Sequence, residues 1–415
     1  MAELCPVAPT ERVAALDVIR GWALFGVLAA NIHEALSGRL YLPDYPDRST
    51  LDAVATRFIE IAISAKSITL LTFLFGLGFA IQLVRAGQRG DARGVFVRRL
   101  AVLLAIGSCH ATFLWWGDVT WQYAVTGAAL LAFRRVGDRA LLVWAMALIL
   151  VPRLLMAVPA IGESVRAALP HAHDPAGFRA EMLAAVRGDD HAARTSAHLR
   201  QVLYYVTATG PWYFPWVLGR FLLGYYAGRR GLFDRDGAVH LAMFRRLLVG
   251  GLAFGVAATA MAVLRRSTVM ADVELLLPAQ LAVVALNELG WLGVAAAYAS
   301  AIVLLIQRSQ PRRWLLVLAP VGRMPLTTYL SQSVATTFVF YGWGLGLTGK
   351  IGAAGCLAIA LAIFAIQVMA SHVWLRRFRF GPAEWLWRTL IYRRVQPMRN
   401  RAPDTAAPHR TSMIA

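Results

Sequence analysis

The feature that most constrains this chain is a recurrence of long apolar runs. Windows at 14–34, 64–84, 98–116, 118–133, 139–159, 211–228, 244–264, 279–306, 314–341 and 351–375 carry few or no charges, and most approach the length that crosses a bilayer. Lipid offers no water to an unpaired amide, so only helices and closed barrels span it. These runs are continuous and do not alternate, which selects helices. The expected fold is all-α, a polytopic transmembrane helical bundle of about ten helices, and 118–133 is its shortest span. Composition agrees, with 58% hydrophobic and 16% charged residues.

A net charge of +19 raises the question of nucleic acid. The basic residues, however, arrive as short clusters at the ends of runs and form no single stripe, so nucleic acid is not an expected partner. Arg85, Arg89, Arg93, Arg98 and Arg99 make one cluster, and Arg134, Arg135 and Arg139 another. Arg229, Arg230, Arg235, Arg245 and Arg246 follow, then Arg308, Arg312 and Arg313. They fall after every second span. The positive-inside rule then places both termini in the cytoplasm and turns Trp115–Asp118 outward. The first run carries Arg20 and no small-residue cleavage site, so it reads as a retained helix and not a secretory signal.

The organisation expected is one membrane domain over 13–376, preceded by a cytoplasmic N-terminus at 1–12. Cys5, Cys109 and Cys356 offer no disulfide framework. The longest polar connection, 161–199, is assigned to the outer side as a solvated loop. Its His171, His173, His191 and His198 match no zinc spacing, and no metal is expected. Residues 377–395 set Trp385, Leu386, Trp387, Leu390 and Ile391 against Arg388, Arg393 and Arg394 after Pro382, the pattern of a helix lying in the inner interface. From 396 to 415 no apolar periodicity remains, and disorder is expected.

Ionisable groups inside spans are costly and turn toward a bundle interior or a water-filled cavity, so their positions localise a site. Arg20 and Asn31 lie eleven residues apart on the first helix. At about 100° per residue that is nearly three whole turns, which puts both on one face about 16 Å apart. Asp17 precedes Arg20 by one turn, so Arg20 is either neutralised at the inner interface or turned toward a ligand. Lys66 opens the second span, where it either snorkels to the headgroups or faces inward. Gly76 and Gly78 look like positions of close helix approach.

His110 and Asp118 flank a tight turn between two spans. Asp118 can cap the following helix by accepting from free N–H groups. Alternatively it orients His110, whose other ring nitrogen then acts as a general base on a hydroxyl or amine, with Asn31 and Lys66 polarising a carbonyl. In VGRMPLTTYLSQS, Arg323 stands at the inner side, ready either to bind a donor phosphate or to stabilise the bundle. Thr327, Thr328, Tyr329 and Gln332 follow on successive turns and suggest a lined cavity. Asn287 and Glu288 interrupt another span, and His372 reads as structural.

Five segments together resemble the bacterial YeiB-like membrane proteins, a domain family of unknown function, over about residues 12–394. They are LDVIRGWALFGVLAANI, LLTFLFGLGFAIQL, RRLAVLLAIGSCHATFLWWGDVTWQYAVTGAALL, VGRMPLTTYLSQS and RFRFGPAEWLWR. That family is distantly similar to a transmembrane acyltransferase superfamily containing the acyltransferase-three proteins and the lysosomal heparan glucosaminide acetyltransferase. The resemblance implies transfer of an acyl group from cytoplasmic acyl-CoA, as donor substrate, to a hydroxyl or amine of an extracytoplasmic glycan or small molecule. The acyltransferase-three pattern places a histidine eleven positions after an arginine; here Arg20 is followed at that distance by Asn31. The glucosaminide acetyltransferase resembles this chain in having asparagine there, but its reactive histidine matches Leu42. Either His110 has taken the catalytic role or this branch has lost acyl transfer. The rival reading is a transporter or export accessory, which broken helices or inverted repeats would favour.

Overall fold

The computed structural model describes residues 13–42, 45, 49–87, 92–168, 174–265 and 276–400. The N-terminal stretch 1–12 with Cys5, the basic position Arg89, His171, His173 and the tail 401–415 lie outside the described residues, as do the side chains of Arg85 and Arg93.

Helix dominates the described residues. α1 (Ala14–Asn31) runs on through a π turn, Ile32–Leu36, and α2 (Thr50–Phe58) joins α3 (Ser64–Gly87) through a second π turn, Ile59–Ile63. α4 (Ala92–Phe113) and α5 (Thr120–Ala129) form a hairpin, then α6 (Asp138–Ala157) follows. Next come α7 (Pro159–Ala167), α8 (Pro175–Arg187), α9 (His191–Ala208), α10 (Gly210–Arg229), α11 (Leu241–Arg265) and α12 (Leu277–Ile306). The C-terminal part holds α13 (Ser309–Leu315), α14 (Ala319–Arg323), α15 (Pro325–Phe340), α16 (Ala353–Arg377) and α17 (Pro382–Tyr392).

Of the spans expected from apolarity, seven helical stretches among the described residues are long and apolar enough to cross a membrane unaided. The other three, α5, α10 and α14–α15, are short, polar or broken. α10 is a central helix: it packs along α3 and α6 and buries Trp216, Arg220, Phe221 and Tyr225. Small residues permit that approach, because a Cβ at Gly76 of α3 would run into the Phe221 carbonyl and one at Gly224 into the Phe73 carbonyl. Gly76 is thus a packing glycine as expected, whereas Gly78 faces open space. α11 packs chiefly on α12, with Gly251 backing onto Gly293.

The connection expected as a solvated loop is helical and packed. Phe178, Met182 and Val186 recur every fourth residue on α8, form one apolar stripe and are buried. Asp174 caps α8 by accepting from Gly177 N at 2.8 Å, and Asp190 caps α9 through Ala192 N at 2.8 Å. On α9, Arg194, His198 and Gln201 are buried, and His198 Nδ1 lies 3.2 Å from the Thr112 carbonyl, which fastens α9 to the end of the α4–α5 hairpin.

The run 314–341 is not one helix. Met324 leaves helical geometry at φ −122, ψ 51, because the following Pro325 lacks an N–H and disfavours the α region for its predecessor. The freed amides of Leu326 and Thr327 donate to Glu384 Oε1 at 2.6 and 3.1 Å. α17 therefore docks on the bundle, with the Arg99 guanidinium 4.5 Å from the Trp387 ring centroid. Residues 396–400 pair back onto 377–379, with Arg379 N donating to Met398 O at 2.8 Å and Asn400 N to Arg377 O at 3.0 Å.

Candidate functional site

The two π turns are the local features that build the site. A π turn inserts one residue into the helical repeat and redirects the side chains beyond it, and such turns recur at functional sites. At the end of α1, Asn31, His33 and Glu34 reach a cavity of about 740 Å³, and the second turn supplies Glu60 and Ile61 to the same space. Lys66, in the first turn of α3, joins them; it is buried and its Nζ donates to the Glu60 carbonyl at 2.9 Å. It does not reach out to the surface.

The hairpin contributes Trp115, Trp116, Val119 and Gln122 to one wall, and the start of α10 contributes Trp212, Tyr213 and Trp216. Arg153 of α6, Asn287 of α12 and the small residues Gly255, Ala258 and Gly290 complete it. Behind this wall lies a buried charge cluster. Glu288 accepts from Arg153 Nε at 2.6 Å, Trp216 Nε1 at 2.8 Å and Arg220 Nη2 at 3.2 Å. Arg220 also donates to Thr69 Oγ1 at 3.0 Å and lies 3.3 Å from the centroid of the Trp216 ring. One carboxylate thus serves two guanidiniums, the fully buried Arg220 and the partly exposed Arg153, and offsets the cost of burying the first.

His110 and Asp118 meet as the sequence suggests: His110 Nδ1 is 2.6 Å from Asp118 Oδ2, and both side chains are buried. The carboxylate lies off the axis of the ring N–H, so the contact is close without being an in-line hydrogen bond. Asp118 also caps, since its Oδ1 accepts from Thr120 N and Oγ1, both at 2.6 Å, and from Trp121 N at 3.0 Å. Oδ1 thus takes the capping role, and Oδ2 lies beside His110. Tyr329 braces the same turn, its hydroxyl accepting from Val119 N at 3.1 Å and its ring centroid 5.6 Å from that of His110. Neither His110, Asp118 nor Tyr329 lines the cavity.

The remaining candidates are dispersed. Arg20 pairs with Asp17 at 2.8 Å, one turn before it on α1. Arg323 is exposed at the end of α14, and Gln332 binds Gln367 Oε1 at 3.1 Å and the Leu24 carbonyl at 3.4 Å, joining α15 to α16 and α1. Thr327 donates its hydroxyl to Glu384 and Thr328 to the Val321 carbonyl at 3.4 Å, and neither lines this cavity. His372 Nε2 lies 3.0 Å from the Val317 carbonyl. None of Arg20, Arg323 and His110 is on the walls of this cavity; Asn31 and Lys66 are the candidates that share it.

Sequence reasoning passed over His33, Glu34, Glu60, Arg153 and Arg220. On a regular helix Asn31 and His33 point about 200° apart, so the face argument that chose Asn31 excluded its neighbour. Arg153 and Arg220 carried a usable signal, a charge within an apolar run, the same signal that singled out Arg20.

In this arrangement an imidazole, a carboxamide and an ammonium line one partly enclosed space, where electrostatic contacts are stronger than in water. Such a set can take up a proton and steady a developing oxyanion.

Residues 227–394 match the family profile described as "Protein of unknown function (DUF418)". The chain is 31% identical to the uncharacterized protein YxaH of Bacillus subtilis (strain 168), covering 96% of this chain and 98% of the relative. It is 27% identical to an uncharacterized 39.9 kDa protein in the amylase 3′ region of Bacillus acidopullulyticus, over 95% and 97% of the two chains. With the uncharacterized protein YeiB of Escherichia coli (strain K12) it shares 29% identity over 93% and 98%. No solved structure matches the chain.

Proposed function

The chain belongs to the DUF418 family of YeiB-like proteins and is a multi-pass membrane protein, and from that premise we propose that its cavity is the reaction chamber of an integral-membrane acyltransferase. The observation that carries the reading is that Asn31, His33 and Lys66 line one cavity inside a transmembrane bundle. In this reading His33 is the base. It takes the proton from an acceptor hydroxyl or amine as that group attacks the thioester carbonyl of an acyl-CoA. The Asn31 carboxamide and Lys66 ammonium stabilise the tetrahedral oxyanion. Collapse breaks the carbon–sulfur bond, the imidazolium returns its proton to the departing thiolate, and the acceptor leaves as ester or amide. In this reading the donor arrives from the cytoplasm, the side that the positive-inside rule would give the basic clusters, and the acceptor from the opposite side. His110 and Asp118 hold the hairpin that forms one wall.

A transport reading would draw on the helix break at Met324. The amides freed there are held by Glu384 of the same chain, and the break does not line the cavity. It therefore leaves no open half-helix end for a substrate.

The test is release of free thiol from labelled acyl-CoA by protein in lipid vesicles. His33→Gln is expected to lose about a hundredfold or more in rate, while His110→Gln, compared at equal folded fraction, keeps most of it. The reverse order would move the base to His110, and no thiol release by the wild-type protein with any hydroxyl or amine acceptor would end the acyltransferase reading.

A further inference from the structure

We propose that the acceptor is an anionic amphiphile, its acidic headgroup held against Arg153 and Lys66 and its apolar chain passing out between Ile61 and Val263; this rests on the reading of the cavity as the acceptor site.

Charge is the first observation. Four cationic side chains, Arg39, Arg57, Lys66 and Arg153, line the cavity against the carboxylates of Glu34 and Glu60. Arg39 is engaged, donating to Thr56 Oγ1 at 3.3 Å and lying 4.6 Å from the Tyr45 ring centroid. Arg153 differs. Among the described residues its hydrogen bond is made by Nε, to Glu288, and its side chain is 44% exposed. Glu288 already answers the buried Arg220, so Arg153 brings surplus positive charge to the cavity wall. Its terminal amino groups are free to form a fork, which suits a phosphate or carboxylate.

The mouth is the second observation. Ile61 and Val263 both line the cavity and are 40% and 50% exposed. They belong to helical stretches apolar enough to span the membrane, Thr50–Leu83 and Asp234–Arg265. α11 packs chiefly on α12 and leaves Val249, Leu252, Val256 and Val263 exposed, a surface suited to hydrocarbon. A largely apolar cavity with cationic groups on its wall and apolar residues at its rim suits a molecule charged at one end. A lipid-like acceptor can enter headgroup first and leave its chain in the bilayer, avoiding the cost of about 0.8 kcal/mol per methylene of moving that chain into water. A soluble sugar would gain nothing from such a rim.

The experiment uses full-length protein in dodecyl maltoside and dodecyl phosphate as the probe, with binding read by native mass spectrometry. Wild type is expected to bind the probe, and Arg153→Gln to weaken it about tenfold or more, with Arg153→Lys intermediate. Ala262→Trp, which fills the rim without touching the charge cluster, is expected to weaken it as well and keeps the test open if Arg153→Gln misfolds. Dodecanol and inorganic phosphate are expected to bind much less tightly than the probe. Inorganic phosphate binding as tightly would overturn the amphiphile in favour of a soluble anion, and so would probe binding indifferent to both Arg153→Gln and Ala262→Trp. Probe binding and thiol release are read separately, which separates the two proposals. Arg153-dependent binding without thiol release retires the catalysis and keeps the amphiphile site; thiol release with a soluble acceptor but no probe binding does the opposite.

Discussion

Arg220 of α10 meets Glu288 of α12 at 3.2 Å, with side chains 0% and 2% exposed, inside a bundle whose other central contacts are mostly apolar. Glu288→Ala strands Arg220 without its carboxylate and is expected to destabilise the protein by about 3–5 kcal/mol. Thermal unfolding in detergent measures it. The double change Arg220→Met with Glu288→Met removes both charges and is expected to recover most of that loss. A double variant no more stable than Glu288→Ala would show that the pair does more than neutralise itself.

The two oxygens of Asp118 can be separated by substitution. Asn caps a helix about as well as Asp, so Asp118→Asn keeps the acceptor for Thr120 N and Trp121 N while removing the charge opposite His110. Asp118→Ala loses both and is expected to be about 1 kcal/mol less stable than Asp118→Asn. Equal stabilities would mean that the cap contributes nothing to the hairpin.

His198 sets an acid limit on the α9 cap. Burial pushes its pKa down to about 4, with the Arg194 and His110 charges adding to the effect against a raising contact from the Thr112 carbonyl. The sign follows from proton uptake: with the folded value depressed, the unfolded chain binds the proton first as pH falls. The contribution is therefore full above about pH 6.5 and is lost as pH falls to about 4. The loss amounts to up to about 3 kcal/mol. Melting temperature followed across that window should fall in wild type and fall less in His198→Gln; parallel curves would remove His198 from the acid response.

Gly76 and Gly78 look alike in the sequence and differ in the structure. Gly76→Ala forces α3 off the Phe221 carbonyl and is expected to cost about 1–3 kcal/mol. Gly78→Ala meets nothing and is expected to be neutral or stabilising by up to about 1 kcal/mol, because alanine favours helix over glycine. Unfolding of both variants in one detergent decides between close approach at Gly76 and helix propensity alone.

Much of the candidate site was legible residue by residue, and its assembly was not. Asn31 and Lys66 followed from the rule that polar groups in spans face inward, and both line the cavity. The same rule, applied to Arg20 and Arg323, selected residues placed outside it, because a charge near a span end is as well served by Asp17 or by the surface as by a ligand. His110 and Asp118 were correctly paired through the short turn between them, yet the pair sits behind the cavity wall formed by Trp115 and Val119. His33 escaped because the face argument assumes a regular helix, and the π turn at Ile32–Leu36 breaks that assumption.

What the sequence by itself determined is the class of fold. Lipid enforces helix on each apolar run whatever its neighbours, so the bundle follows from local composition. The packed α8–α9 cap, the break capped by Glu384 and the cavity itself were decided by tertiary structure. Tyr298 of α12 donates to the Ala62 carbonyl at 2.9 Å, so α12 crosses α3 at the second π turn, and Asn287 and Gly290 beyond it form the far wall. Which polar residues share a chamber depends on such crossings between distant segments, and no periodicity within a single run encodes them.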